Sequence, residues 1–275
     1  MPETRHLHLI SDSTGETINA IARAALARFQ GVRPTTHLSV FVRSEAELDA
    51  ALAAVREHRG IVVFTLAEPA LYDRLMDVCA ELHVPTIAPL DPMLAVLAKL
   101  FGTAPETRPG MQHRITPDYF TRITALDFAI SHDDGAIGKR LLQANVILKG
   151  VSRTSKTPTC IYLAYRGIKA ANVPLVPGVE PDPAFFRAME RGVPVIGLTA
   201  SPARLAQVRA QRLEAIGAAK TPDYAEIDRI RAEVAEARLF FDRHEIPVID
   251  VTRRSIEETA AEVLAILRAR GIESA

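Results

Sequence analysis

The chain has 275 residues, enough for one large α/β domain or two of ordinary size, and 48% of them are hydrophobic against 24% charged, the balance of a globular protein with a full core. Lys plus Arg and Asp plus Glu both number 33, so the formal net charge is zero; this excludes the basic excess of a nucleic-acid binder, and 5% aromatic residues with no Trp exclude a base-stacking platform. Two cysteines exclude a disulfide framework, and with no export leader and no run of about 18 apolar residues a cytoplasmic protein without membrane contact is expected.

In chain order, HLHLI (6–10) predicts a strand, followed by the polar turn SDSTGET and the helical pattern INAIARAALARF. THLSVFV (36–42) predicts a second strand, and Ser44 with Glu47 three residues on predicts a capping box at the start of the next helix. GIVVFTL (60–66) is a nearly continuous apolar run, as expected of a strand covered on both faces. EPALYDRLMDVCAELH is its helix, VPTIAPL a weaker strand, and DPMLAVLAKLF a helix opened by Asp-Pro. These alternating elements predict a parallel-sheet α/β unit over residues 1–101.

Residues 102–144 break the pattern. GTAPETRPGMQHRITPD carries three prolines and two glycines without periodicity, and reads as a linker or a functional loop. A helix then ends near His132, before the acidic turn Asp133-Asp134-Gly135. A second, P-loop-type α/β nucleotide-binding unit is expected over 145–275, with strands NVILK, NVPLV, VPVIGLT and IPVIDV, and a capping box at Ser255 and Glu258 before the last helix. Cys79 and Cys160 both lie in apolar helical patterns, as buried small hydrophobes do.

The most informative stretch is GVSRTSKT, residues 150–157, between the strand NVILK and a helix. A phosphate loop written G-x-x-x-x-G-K-[ST] needs backbone N–H groups converging at a helix N-terminus, a lysine for the β- or γ-phosphate and a hydroxyl for Mg2+. Gly150, Lys156 and Thr157 fit, Ser152, Thr154 and Ser155 are small and leave the cradle open, Val151 is part of the same binding loop, and the guanidinium of Arg153 suits a phosphate. Ser155 stands where the pattern has glycine, so either a phosphate loop with one departure or an ordinary strand–helix turn fits. SDSTGET, at the first strand–helix turn, is either a helix capped by Ser or Thr or a second anion or phosphoprotein site, and Asp12 there could handle a proton or a metal. SHDDG is either a surface turn or the source of a general base or a metal-held acid for phosphoryl transfer, Asp133 or Asp134. Asp250, closing IPVIDV, is either a Mg2+ carboxylate or a strand-end turn residue, and GLT (197–199) falls at the carboxyl end of its strand, where ligands of parallel sheets bind.

Taken together, SDSTGET, SHDDG, GVSRTSKTPTCIYLA and NVPLVPG resemble the bacterial and plant regulatory proteins of pyruvate, phosphate dikinase, over nearly the whole chain. A bacterial branch of that family acts on phosphoenolpyruvate synthase. The resemblance implies a bifunctional serine/threonine kinase and phosphorylase unlike ordinary protein kinases. Its kinase reaction takes a phosphoryl group from ADP and places it on an active-site threonine of the target, which inactivates it; its phosphorylase reaction removes that group with inorganic phosphate and releases pyrophosphate. The family's nucleotide loop falls on Gly150 to Thr157 with Ser155 included. Lys156 and Thr157 are then expected on phosphate and metal, and Asp133, Asp134 or Asp12 on the proton. A small-molecule P-loop kinase and a non-catalytic nucleotide sensor are the competing readings, and a homodimer is the default assembly.

Overall fold

The computed structural model describes residues 5–108, 117–133, 139–215 and 224–272. They divide into two compact α/β units, one of residues 5–108 and one of residues 117–272. Each is built on a four-stranded parallel sheet flanked by helices.

The first unit runs β1 (His6–Ser11), α1 (Glu16–Leu26), β2 (Thr35–Ser39), α2 (Glu45–Glu57), β3 (Gly60–Thr65), α3 (Pro69–Glu81), β4 (Thr86–Ile87) and α4 (Asp91–Phe101), with strand order β2-β1-β3-β4. Side-chain alternation along β1 divides the core. Ile10 packs with Leu48, Leu52 and Val55 of α2 and Leu71 and Leu75 of α3 on one face, while Leu7 and Leu9 meet Ile18 and Ala22 of α1 on the other. The second strand stops at Ser39, short of the predicted Val42, because β2 is an edge and its following residues Val40 and Phe41 are solvent-exposed. The weak fourth strand shrinks to two residues. Ser44 caps α2 through Glu47 N, but the Glu47 carboxylate reaches the backbone N–H of Arg43, one residue before the cap, so the box closes out of register.

The second unit runs α5 (Pro117–Ser131), a short 3-10 helix (Lys139–Gln143), β5 (Val146–Gly150), α6 (Lys156–Ala164), β6 (Ala170–Pro174), α7 (Pro183–Glu190), β7 (Val195–Thr199), α8 (Pro202–Ala215), α9 (Ile227–Arg243), β8 (Val248–Asp250) and α10 (Ile256–Ala269). Its strand order is β6-β5-β7-β8, the same second-first-third-fourth arrangement as in the first unit. β5 and β7 are buried throughout, which explains their unbroken apolar runs. Fully buried side chains such as Phe185 and Phe241 contribute roughly 1.5–3 kcal/mol each to this core. Ser255 and Glu258 form the complete reciprocal capping box at the start of α10.

The shared order has one consequence for function. In each unit the chain leaves its first strand in one direction and its third in the other, so a crevice opens between the carboxyl ends of those two strands. The crevice lies between β1 and β3 in the first unit and between β5 and β7 in the second. SDSTGET follows β1, and GVSRTSKT follows β5.

Candidate functional site

The site of the second unit starts from a close approach of two strands. A Cβ on Gly150 would lie 2.3 Å from the carbonyl oxygen of Leu198 on β7, so only glycine lets β5 end this near its neighbour. The chain then turns through residues 151–155 and enters α6 at Lys156. Arg153 (φ 71°) and Ser155 (φ 60°, ψ 22°) both take the left-handed conformation. Ser155 therefore occupies the backbone state for which the phosphate-loop pattern writes glycine, and the departure lies in the residue, not in the geometry. The loop folds around the carbonyl of Val151, which accepts hydrogen bonds from Thr154 Oγ1 and Lys156 Nζ, both at 2.9 Å. Lys156 is only 6% exposed, held within the curve of its own loop at the start of α6. An ammonium and a helix N-terminus thus converge where an anion would sit.

Beside them stands a polar triangle drawn from three elements. Thr157, in the first turn of α6, donates to Asp133 Oδ1 at 2.8 Å, and Asn172 Nδ2 on β6 donates to the same oxygen at 2.7 Å and approaches Thr157 Oγ1 at 3.0 Å. Asp133 is positioned by the end of α5. His132 is buried, stacks on Phe128 at 4.1 Å, and its carbonyl accepts the Asn172 backbone N–H at 3.0 Å. Among the described residues both hydrogen bonds to the Asp133 carboxylate land on Oδ1, so Oδ2 is its candidate oxygen for a proton. A hydroxyl beside a carboxylate oxygen is a hard-oxygen set that suits Mg2+ bound jointly by protein and phosphates. Thr199 Oγ1, at the carboxyl end of β7, is buried without a hydrogen-bond partner among the described residues, as a group awaiting a ligand would be. Asp134 lies outside the described residues. The Asp250 carboxylate accepts from the backbone N–H and hydroxyl of Thr252 at the strand-end turn.

A second layer holds the loop. Tyr224 Oη meets Ser152 Oγ at 2.9 Å and accepts from Arg153 Nε at 3.2 Å. Arg209 of α8, 1% exposed, reaches the Ser152 carbonyl at 3.3 Å and forms a two-pronged ion pair with Glu233 of α9, at 2.6 and 3.2 Å. The sequence singled out none of Asn172, Arg209, Tyr224 or Glu233. The only signal was an asparagine in an otherwise apolar strand, and the partners of the other three are far away in the chain.

Lys149, immediately before the loop, is 1% exposed, and its ammonium faces the rings of Phe185 and Phe240. Burial, with a smaller contribution from the charge of Lys156, pulls its pKa down to about 8. Cys160 on α6 is buried and its thiol is pushed far up by desolvation, so it is packing and not a nucleophile.

The first unit has its own polar crevice. Gly15, at φ 74°, stands at the N-cap of α1 with no side-chain cap, so the capping expected of a Ser or Thr in SDSTGET is not what this turn does. Asp12 Oδ2 accepts the Ala67 N–H at 2.7 Å, and the Asp12 carbonyl accepts Arg43 Nε at 2.7 Å. Burial raises the pKa of the Asp12 carboxyl, offset in part by the Ala67 hydrogen bond and the Arg43 charge. The crevice encloses about 210 Å3 between Ser13, Thr17, Thr65, Tyr72 and Arg108.

A family model described as kinase/pyrophosphorylase matches residues 7–264 of the chain. A Caulobacter vibrioides protein bearing the name "Putative pyruvate, phosphate dikinase regulatory protein" is 50% identical over 262 residues, covering 95% of this chain and 82% of the relative. Relatives of the same name from Hyphomonas neptunium and Paramagnetospirillum magneticum are 46% and 42% identical, covering 96% and 98% of this chain and 95% and 87% of their own lengths.

Proposed function

The chain belongs to the kinase/pyrophosphorylase family, and we propose that it transfers the β-phosphoryl group of ADP to an active-site threonine of pyruvate, phosphate dikinase and removes it again with inorganic phosphate. The names of the relatives support the target, and phosphoenolpyruvate synthase is the second candidate. The observation that carries the chemistry is the convergence of Lys156, the α6 N-terminus and the Asp133–Thr157 pair around one left-handed loop.

In the kinase direction the threonine oxygen attacks the β-phosphorus of ADP, the bond from that phosphorus to the α–β bridging oxygen breaks, and AMP leaves with the electron pair. The threonine proton passes to a carboxylate, Asp133 through Oδ2 or its neighbour Asp134, with Asp12 the more distant candidate in sequence. In the phosphorylase direction an oxygen of inorganic phosphate attacks the phosphothreonine phosphorus, the bond to the threonine oxygen breaks, and the carboxylate returns the proton to that oxygen as pyrophosphate departs. Gly150 to Thr157 cradle the diphosphate in one direction and the attacking phosphate in the other. Lys156 and the loop N–H groups neutralise charge on the transferring group, most of what phosphoryl transfer asks of a protein. Thr157 and Asp133 would hold Mg2+, which supplies further charge neutralisation when bound. Arg153, Ser152 and Thr154 shape the cradle, with Tyr224 fixing the first two.

Replacing Lys156 by Ala is expected to abolish both directions, and retained turnover in that chain would remove the role given to this lysine. A thermal-shift series separates the competing functions. Stabilisation by ADP alone supports the proposal, stabilisation only by ATP with a small metabolite supports a small-molecule kinase, and ADP binding with no change in the target supports a sensor. A cytoplasmic location, alongside the target, goes with this reading. A homodimer is the assembly carried forward, supported by α4, an apolar helix with no buried residue.

A further inference from the structure

Lys149 has no part in the phosphate loop, yet with Arg209 it is the most deeply buried cation among the described residues of its unit, each 1% exposed, and of the two it is the one without a compensating carboxylate there. Arg209 has Glu233; Lys149 has one long hydrogen bond, 3.4 Å to the Pro174 carbonyl, and two aromatic faces, Phe185 at 4.4 Å and Phe240 at 5.2 Å from Nζ. Ring faces attract an ammonium, but they replace only part of the hydration it has lost. With its pKa at about 8 the side chain still carries its charge at neutral pH. A buried charge in this state calls for an anion.

Space for one is present. Lys149 forms part of the wall of a cavity of about 910 Å3 between the segment after β6, α7 and α9. That volume is in the range of small-molecule sites. Its apolar surface comes from Val176, Val179 and Leu239, and its flat surfaces from Phe186, Phe240 and His244, whose rings lie 4.6–5.6 Å from one another along the His244 contacts. Two wall carboxylates are committed to the backbone, Asp182 to Ala184 N at 2.7 Å and Glu236 to Gly178 N at 3.1 Å, so neither serves the ammonium. Those carboxylates, with Glu180, also face any occupant and disfavour a doubly charged phosphate, since among the described residues the wall's lysines and arginines are Lys149 and Arg243 alone.

We propose that this cavity is a second ligand site, for a small organic carboxylate with an aromatic or branched apolar body, its carboxylate paired with Lys149 Nζ and its body among Phe186, Phe240 and His244. The site is separate from the phosphate loop: Lys149 lies on the face of β5 covered by α7 and α9, whereas the loop runs on into α6.

The test is a fluorine NMR titration of the full chain with 4-fluorobenzoate, with inorganic phosphate as the competing probe. Saturable binding is expected, weakened by at least about ten-fold in Lys149→Met, since one partner of a desolvated charge pair is lost. Lys149→Met removes a buried charge without removing bulk and should fold; thermal melting checks this. Leu239→Glu places a carboxylate at a wall position that is 65% exposed, so it leaves the core intact, and it should weaken binding as well. Lys156→Ala should leave 4-fluorobenzoate binding unchanged. The proposal is overturned if the unaltered chain shows no saturable binding, if Lys149→Met and Leu239→Glu bind as well as it does, if phosphate displaces the probe, or if Lys156→Ala abolishes binding, which would return the ligand to the phosphate loop.

Discussion

Ser155 sits at φ 60°, ψ 22°, where a residue with a Cβ pays roughly 1–2 kcal/mol that glycine does not. A serine tolerates this because its side chain is small, while a β-branched residue would crowd the loop as well. Ser155→Gly is therefore expected to keep phosphate binding with a stability equal to or up to about 1 kcal/mol above the parent, because glycine's greater freedom in the unfolded chain offsets part of the relief. Ser155→Val should lose about 1–3 kcal/mol and bind ADP more weakly. Urea unfolding and an ADP titration read both; a valine chain as stable as the parent would show that the loop does not need this backbone state. The sequence placed this residue at the right position but could not say whether serine bends the loop or the loop bends serine. Spacing alone singled out Lys156 and Thr157, which lie in the first turn of α6. Asn172 was not, because its importance comes from β6 lying beside β5, which brings it to Thr157 and Asp133 across 15 and 39 positions of chain.

At the scale of elements, α8 and α9 are held to the loop by one buried ion pair. Arg209 is 1% exposed and Glu233 21%, and Arg209 Nε is already without a hydrogen-bond partner among the described residues. Removing the carboxylate strands the guanidinium, so Glu233→Ala should cost on the order of 3 kcal/mol, the low end for a buried pair because Glu233 is partly solvated. It should also loosen the Ser152 carbonyl and weaken ADP binding; thermal melting with an ADP titration measures both. In the first unit, β1, β2 and the end of α2 assemble four histidines: His8 stacks on His37 at 4.5 Å, His6 on His58 at 4.8 Å, and His8 Nε2 meets the His58 carbonyl at 2.7 Å. Burial lowers the pKa of His8 below its ordinary 6.5, aided by the neighbouring histidines and opposed by that carbonyl, and His6 moves the same way. The unfolded chain then binds protons more tightly than the folded one, so this contribution to stability is complete above 6.5 and is lost as the pH falls through 6.5 toward the folded value. Asp12 acts with the opposite sign and from 3.8 upward, since burial raises its pKa. Amide exchange in β1 and β3, corrected for intrinsic rates, should be faster at about pH 5.5 than at about pH 8, and His8→Gln should remove much of that difference; a flat profile would contradict it. The strands and the helix that build this cluster were readable from the alternation of short strand-like runs with longer helical ones. The cluster itself was not, because it depends on register, His8 opposite His37, which no local pattern specifies.

At the scale of the molecule, two units of the same strand order each present a turn after the first strand, one with SDSTGET and one with GVSRTSKT. The α/β class and the parallel pairing follow from the alternation of short apolar strands with longer amphipathic helices, and the fold has them. What alternation could not show was α4, whose apolar residues resemble a core helix but stay outside: Met93, Val96, Leu100 and Phe101 are 64–72% exposed. If a second copy of the chain covers them, sedimentation should give a dimer that Leu100→Glu converts to monomer; a monomeric parent chain would remove the homodimer from the account. The proposed chemistry turns on which phosphorus moves and where it goes. The most direct measurement incubates the protein with purified pyruvate, phosphate dikinase and ADP labelled in the β-phosphate, with phosphoenolpyruvate synthase alongside as the other target. Label is expected on a threonine of the dikinase, released as pyrophosphate when inorganic phosphate is added, with no label for Lys156→Ala. Label appearing only from the γ-phosphate of ATP, or on neither target, would contradict it.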